Sequence, residues 1–167
     1  RGLALPREGR RVTTLVELAK DVDLVDIRTT GTLARLGPGP IPEFGKPMDA
    51  SFTIKGGVSR EGENGFNVVF AIDCRPRRTR EEREFSRFVY RVVARYRAQK
   101  SWPEAVLNDF MRSNAMIHLW PYARNFVQTA SAQLGLIPIL LPPFRVSSRS
   151  EPSGGQEVAR PSARTGQ

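Results

Sequence analysis

The chain has 167 residues, 40% hydrophobic and 26% charged, a composition that suits one globular domain with a modest core. Its formal charge of +9 points to anionic partners or strong self-repulsion and says nothing about fold. A single cysteine, Cys74, excludes an internal disulfide and a cysteine zinc cluster, and no apolar run approaches the roughly 20 residues that span a bilayer.

The chain begins at Arg1 rather than Met, as expected of a fragment or a processed form. Residues 1–12 are basic without periodicity and are expected to be flexible. Thr13–Lys20 reads as a short helix, capped by Thr13 or Thr14, with Leu15, Val16, Leu18 and Ala19 on its apolar side. Asp21–Leu36 reads as a strand, in which Leu24, Val25 and Ile27 sit among Thr29, Thr30 and Thr32. The neighbours Leu24 and Val25 break the alternation, which a bulge or burial on both faces would explain. Gly37–Pro47 holds four prolines and three glycines, which exclude helix and strand. Such a long crossover loop is often functional, and this one carries an aromatic, Phe44, with no periodic element to bury it.

Three cleaner segments follow. Ala50, Phe52 and Ile54 alternate with Ser51, Thr53 and Lys55; a turn at Glu61–Gly65 leads to Phe66, Val68, Phe70, Ile72 and Cys74 in the same register. After a charged connection, Phe88, Tyr90, Val92, Ala94 and Tyr96 alternate with Val89, Arg91, Val93, Arg95 and Arg97. These strands make an antiparallel meander with one apolar face to be covered and one wet face, strongly basic on its last strand. Between Arg75 and Lys100, ten lysines and arginines oppose only Glu81, Glu82 and Glu84.

Trp102-Pro103-Glu104 opens a helix, with Ser101 as cap and Pro103 in the first turn, that runs to about Asn114 and buries Val106, Leu107, Phe110 and Met111. A second helix begins near Trp120-Pro121; Leu119, Tyr122, Ala123, Phe126, Val127, Ala130 and Leu134 recur at helical spacing, and Gly135 ends it. Leu136–Val146 is an extended apolar coda, and residues 147–167, rich in Ser, Gly, Pro and Arg, are expected to be disordered. The expected fold is α+β: a four-stranded antiparallel sheet, a long Pro-rich crossover loop after the first strand, and two C-terminal helices on one face. The folded domain is expected to span residues 13–146.

Constellations that carry catalysis are missing from the pattern. His118 is the sole histidine, so a usual zinc site has no ligand set, and its place before Leu119-Trp120 suits packing. No phosphate loop, dinucleotide fingerprint or nucleophile elbow occurs, and Glu81, Glu82 and Glu84 read as a solvated turn. Cys74 falls in register with Phe70 and Ile72 and reads as a small buried hydrophobe. The expectation is a protein that catalyses no reaction and needs no metal or cofactor. Two features stand out: aromatics at irregular or element-end positions (Phe44, Trp102, Trp120), with the apolar coda, and the basic strand.

The run Leu119-Trp120-Pro121-Tyr122-Ala123-Arg124, followed by Gly135 and by Ile137-Pro138 … Leu141-Pro142-Pro143-Phe144, resembles the SecB family of export chaperones. Asn114 and Ala115 suit that family's inter-helix turn, and the order of elements matches from about Val22 to Val146. The resemblance implies a cytoplasmic homotetramer, a dimer of dimers. It would hold unfolded clients, preproteins for export or an antitoxin, in apolar grooves without ATP. It implies client contacts at Phe44, Leu119, Trp120 and Tyr122, to which Trp102 is added as an aromatic at an element end, and the translocase motor ATPase as a candidate partner. Well-known export members dock that motor through an acidic sheet face, whereas the last strand here presents Arg91, Arg95 and Arg97, candidates for docking a partner or an anionic ligand. An extra N-terminal helix resembles the family's toxin–antitoxin-associated branch, so export and antitoxin roles both stay open. The competing reading is a nucleic-acid-binding module using the basic strand at 85–100. Tyr90 and Tyr96, however, share a face with Phe88 and Val92, opposite the arginines, so the aromatic–basic interleaving of an RNA surface is missing.

Overall fold

Alternation in the central strands sets the architecture. The computed structural model describes residues 7–144, beginning with α1 (Arg7–Asp21). Strands β1 (Val22–Leu36), β2 (Asp49–Glu61), β3 (Gly65–Arg77) and β4 (Ser86–Ala98) follow, in one antiparallel sheet of order β1-β4-β3-β2. The last three strands form the expected meander, and residues 37–48 carry the chain from one sheet edge to the other, a Greek-key path. Phe66, Val68, Phe70, Ile72 and Cys74 of β3 and Phe88, Tyr90, Val92, Ala94 and Tyr96 of β4 are all buried on one face. The break at Leu24–Val25 is a bulge: β1 advances from Leu24 to Asp26 while β4 advances one residue, and a second step occurs between Thr29 and Gly31.

The crossover loop starts under tight constraint. Gly37 N–H donates to Phe85 O at 2.8 Å and Gly39 N–H to Glu84 O at 2.9 Å, tying the loop to the β3–β4 connection. A Cβ on Gly39 would lie 2.0 Å from the Arg83 carbonyl oxygen, so only glycine permits this approach.

The two expected helices are one. α2 (Glu104–Phe110), a π-helical turn (Met111–Ala115) and α3 (Met116–Gln133) run without interruption, so Asn114 and Ala115 form no inter-helix turn and Trp120-Pro121 opens nothing. The apolar pattern explains the join. From Leu107, Phe110 and Met111, a repeat of 3.6 would next bury positions 114 and 118. The buried residues are instead Ala115, Met116, Leu119, Trp120 and Ala123, about one residue late. A π turn, with i→i+5 bonds, absorbs that residue and keeps both halves of the stripe on the sheet. Pro121 leaves the carbonyl four residues earlier, at Ile117, without its helical donor, and both residues are exposed, so water can replace it.

Caps differ from expectation at the helix starts and agree at the end. Pro103 is itself the N-cap; its carbonyl takes the N–H groups of Val106 and Leu107 at 3.0 and 3.2 Å, while Ser101 lies outside and accepts from Arg60 at 3.3 Å. α1 begins six residues before Thr13, so Thr13 and Thr14 are internal rather than capping. Gly135, at φ 74°, closes α3: Leu136 N–H reaches Ser131 O at 3.0 Å and Gly135 N–H reaches Ala132 O at 3.0 Å, a Schellman motif. Beyond it the coda turns back along α3, burying Leu136, Ile139 and Leu141, with Ile139 N–H donating to Ser131 Oγ at 2.9 Å. Residues 1–6, the end of the coda at 145–146 and the segment 147–167 expected to be disordered lie outside the described residues.

Under the helix, Phe66 stacks on Tyr96 at 5.2 Å, and Phe110 meets them edge-on at 5.7 and 5.2 Å. Each such pair adds about 0.5–1.5 kcal/mol beyond its burial.

Candidate functional site

Helix, coda and crossover loop leave the expected client-contact residues in two groups. Phe44, in the crossover loop, is 88% exposed and Tyr122, on α3, is 47% exposed. Leu119 is fully buried, and Trp102 and Trp120 are 6% and 7% exposed. Trp102 Nε1–H donates to Asp21 Oδ2 at 2.6 Å, pinning the end of α1 to the start of α2, and Lys100 Nζ sits 4.4 Å over its ring. Trp120 Nε1–H donates to Pro142 O at 2.8 Å, and its ring meets Phe144 at 5.7 Å, fastening the coda to α3. Trp102, Leu119 and Trp120 are therefore packed into the fold of this chain, and Phe44 and Tyr122 are the exposed members of the expected set.

Other apolar side chains do offer one. On α3, Ile117 and Pro121, four residues apart on one face, are exposed, as is Tyr122 next along the chain. Leu140, in the coda, is 65% exposed, and Ile41 and Met48 accompany Phe44 in the loop. On β1, Leu24, Val25, Leu33 and Leu36 are all exposed, because β1 is an edge strand that α3 does not cover. The coda's two-sidedness was hidden in its sequence, since every residue from Leu136 to Leu141 except Pro138 is aliphatic.

The opposite face of the sheet carries the charge. Arg91, Arg95 and Arg97 are exposed there, as the alternation requires. Asp73 lies on the same face, holding Arg87 at 2.7 Å and Arg75 at 3.0 Å. The hydrogen bonds from Arg87, helped by Arg75, bring its carboxyl down to about 2, although its partial burial acts the other way. Arg95 pairs with Glu61 at 3.5 Å, whereas Arg91 and Arg97 form no ion pair among the described residues. Beside them lies a surface cavity of about 300 Å³, lined in part by Val25, Glu61, Asn64, Arg95 and Arg97.

Of two groups that could have carried chemistry, Cys74 is packed in the core and His118 is exposed on the helix beside Tyr96. Burial, with the nearby Asp73 charge, pushes the Cys74 thiol up to about 12, so it stays a protonated, unreactive core atom. His118 Nδ1 lies 3.2 Å from the Tyr96 hydroxyl, whose own pKa burial raises to about 12.

No family model and no curated protein matches the chain. Among solved structures, a SecB-like chaperone of Mycobacterium tuberculosis, in complex with a ChAD peptide from the HigA1 antitoxin, aligns with a TM-score of 0.69. The alignment covers 81% of this chain and 99% of that one, at 17% identity. This chain has a SecB-like fold. A protein of unknown function from Streptococcus agalactiae aligns over 72% of this chain and 96% of that one, but at a TM-score of 0.36 and 10% identity, too loose a likeness to bear on the fold. Within the SecB-like fold, the basic strand β4 is central rather than marginal, flanked by β1 and β3. Tyr90 and Tyr96 lie under the helix, 5% and 1% exposed, and Tyr90 stacks on Phe126 at 5.2 Å. The competing nucleic-acid reading thus loses its aromatic platform. Among the described residues, no helix is long and apolar enough to cross a membrane.

Proposed function

We propose that this chain is a chaperone that holds unfolded or peptide-like protein segments on exposed apolar surface, without nucleotide. The observation that carries the reading is Phe44: a large aromatic left 88% exposed in a loop whose start is tied to the β3–β4 connection, on a SecB-like fold. Ile117 and Tyr122 on α3 and Leu140 in the coda extend the contact surface. Burying apolar surface is worth about 25 cal/mol per Å² and has no directional requirement, so such a surface holds many sequences and needs no catalyst. The clients are preproteins or an antitoxin segment, released by folding or by a competing partner.

Assembly belongs to the same reading. β1 leaves one edge of its backbone unpaired while exposing Leu24, Val25 and Leu33, which favours pairing with a second copy. A dimer made there, and a tetramer from two dimers, would set several client surfaces side by side and raise effective concentration.

The test is suppression of aggregation of a chemically unfolded client, without nucleotide, across a salt series. Protection near stoichiometric ratios that persists at moderate salt is the expected result. No protection, or protection abolished by salt, would leave the likeness as one of fold alone.

A further inference from the structure

The uncovered sheet face carries a pattern that client holding does not use. Along β4 it reads Arg87, Val89, Arg91, Val93, Arg95 and Arg97, cations alternating with valines before a final pair of arginines. Side chains two apart on one face of a strand are about 7 Å apart, so Arg91 to Arg97 spans about 20 Å. Arg91 faces Gly31 on one neighbouring strand and Ala71 on the other, so neither neighbour covers its guanidinium. Arg97 lies in register with Asp23 without pairing to it, and Arg95 shares its charge with Glu61 at 3.5 Å. Exposed Leu33 and Val69 flank β4 on this face, so the cations border an apolar strip rather than a uniformly polar one.

We infer that this face docks an extended segment of a protein partner in which carboxylates alternate with apolar residues. Every second residue of an extended segment points the same way at the same spacing of about 7 Å, so acidic and apolar side chains at alternate inward positions match the arginine–valine repeat. Guanidinium–carboxylate bonds would fix the acidic positions, and the valines with Leu33 and Val69 would take the apolar ones. The chemistry favours protein over nucleic acid. The strands present no aromatic on this face for bases to stack on, whereas the valines with Leu33 and Val69 suit the apolar side chains of a peptide. Because the face lies opposite the helix, docking here and client holding on α3 are separate events.

The test uses a fluorescein-labelled peptide repeating Ser-Glu-Ser-Leu, read by anisotropy with the full chain at low and moderate salt. Matched peptides with Lys or Gln in place of Glu, and a single-stranded RNA, serve as comparators. The glutamate peptide should bind best and weaken with salt. Replacing Arg91→Gln and Arg97→Gln together should lower its affinity on the order of tenfold or more, with the circular dichroism spectrum and client protection unchanged. Val69→Ser, which removes no charge, should weaken it by a smaller factor. Equal binding of the glutamine or lysine peptide, tighter binding of RNA, or undiminished binding by the double variant would overturn the inference.

Discussion

β3 and β1 have similar lengths, 13 and 15 residues, and opposite fates. β3 buries every second side chain under the helix, while none of the side chains of β1 is buried, although β1 carries Leu24, Val25, Ile27, Leu33 and Leu36. The difference is position in the sheet: β3 lies between β4 and β2 under the covering helix, and β1 lies at the edge beyond it. Apolar content alone therefore does not mark core. In β3 it stabilises this chain, and in β1 only Val22 and Ile27 pack partly on the core while Leu24, Val25, Leu33 and Leu36 are left for something else to cover.

The largest effect should come from the buried side of that contrast. Phe70→Ala, at a fully buried site in β3, should cost about 3–5 kcal/mol in urea unfolding. A loss below about 1 kcal/mol would mean the helix does not seal the sheet. Gly39→Ala comes next, because its Cβ would meet the Arg83 carbonyl; a cost of roughly 1–3 kcal/mol is expected from overpacking. Trp120→Phe keeps most of the ring but leaves the Pro142 carbonyl without its donor, and should cost about 1 kcal/mol. Replacing Asp73 tests the uncovered face. Its folded pKa is depressed, so the stability it contributes is present above the unfolded carboxylate value near 4 and is lost as pH falls toward about 2. An Asp73→Asn variant should lack that part of the acid-side slope in unfolding measured across pH, and an unchanged slope would contradict the pairing with Arg87. Smallest of all in stability, Leu33→Ser on β1 and Phe44→Ser in the loop should each stay within about 0.5 kcal/mol of the parent. Phe44→Ser should nevertheless weaken client protection.

What the sequence disclosed follows the same division. Period-two alternation in β3 and β4 was enough to place both faces, and the paired Leu24–Val25 marked an irregularity that the register resolves as a bulge rather than burial on both faces. Gly135 marked the end of α3 because the Schellman geometry requires a positive φ there. The joined helix was missed because Pro121 reads as a start signal, while the π turn that rephases the stripe shows only as a one-residue slip in the burial pattern. Trp102 and Trp120 looked like surface aromatics at element ends. Their partners, Asp21 and Pro142, lie 81 and 22 residues away, and such pairings leave no local trace. Phe44 could be placed from sequence because nothing periodic nearby could bury it, whereas Tyr122 shares the helical spacing of buried Leu119 and Ala123 and its exposure was not legible there.

The most direct test of client holding is site-specific photo-crosslinking to an unfolded client, with the crosslinking residue placed in turn at positions 44, 122 and 69. The account predicts client adducts at 44 and 122 and none at 69, which lies on the uncovered sheet face. Adducts at 69 alone, or equal yields at all three positions, would contradict it.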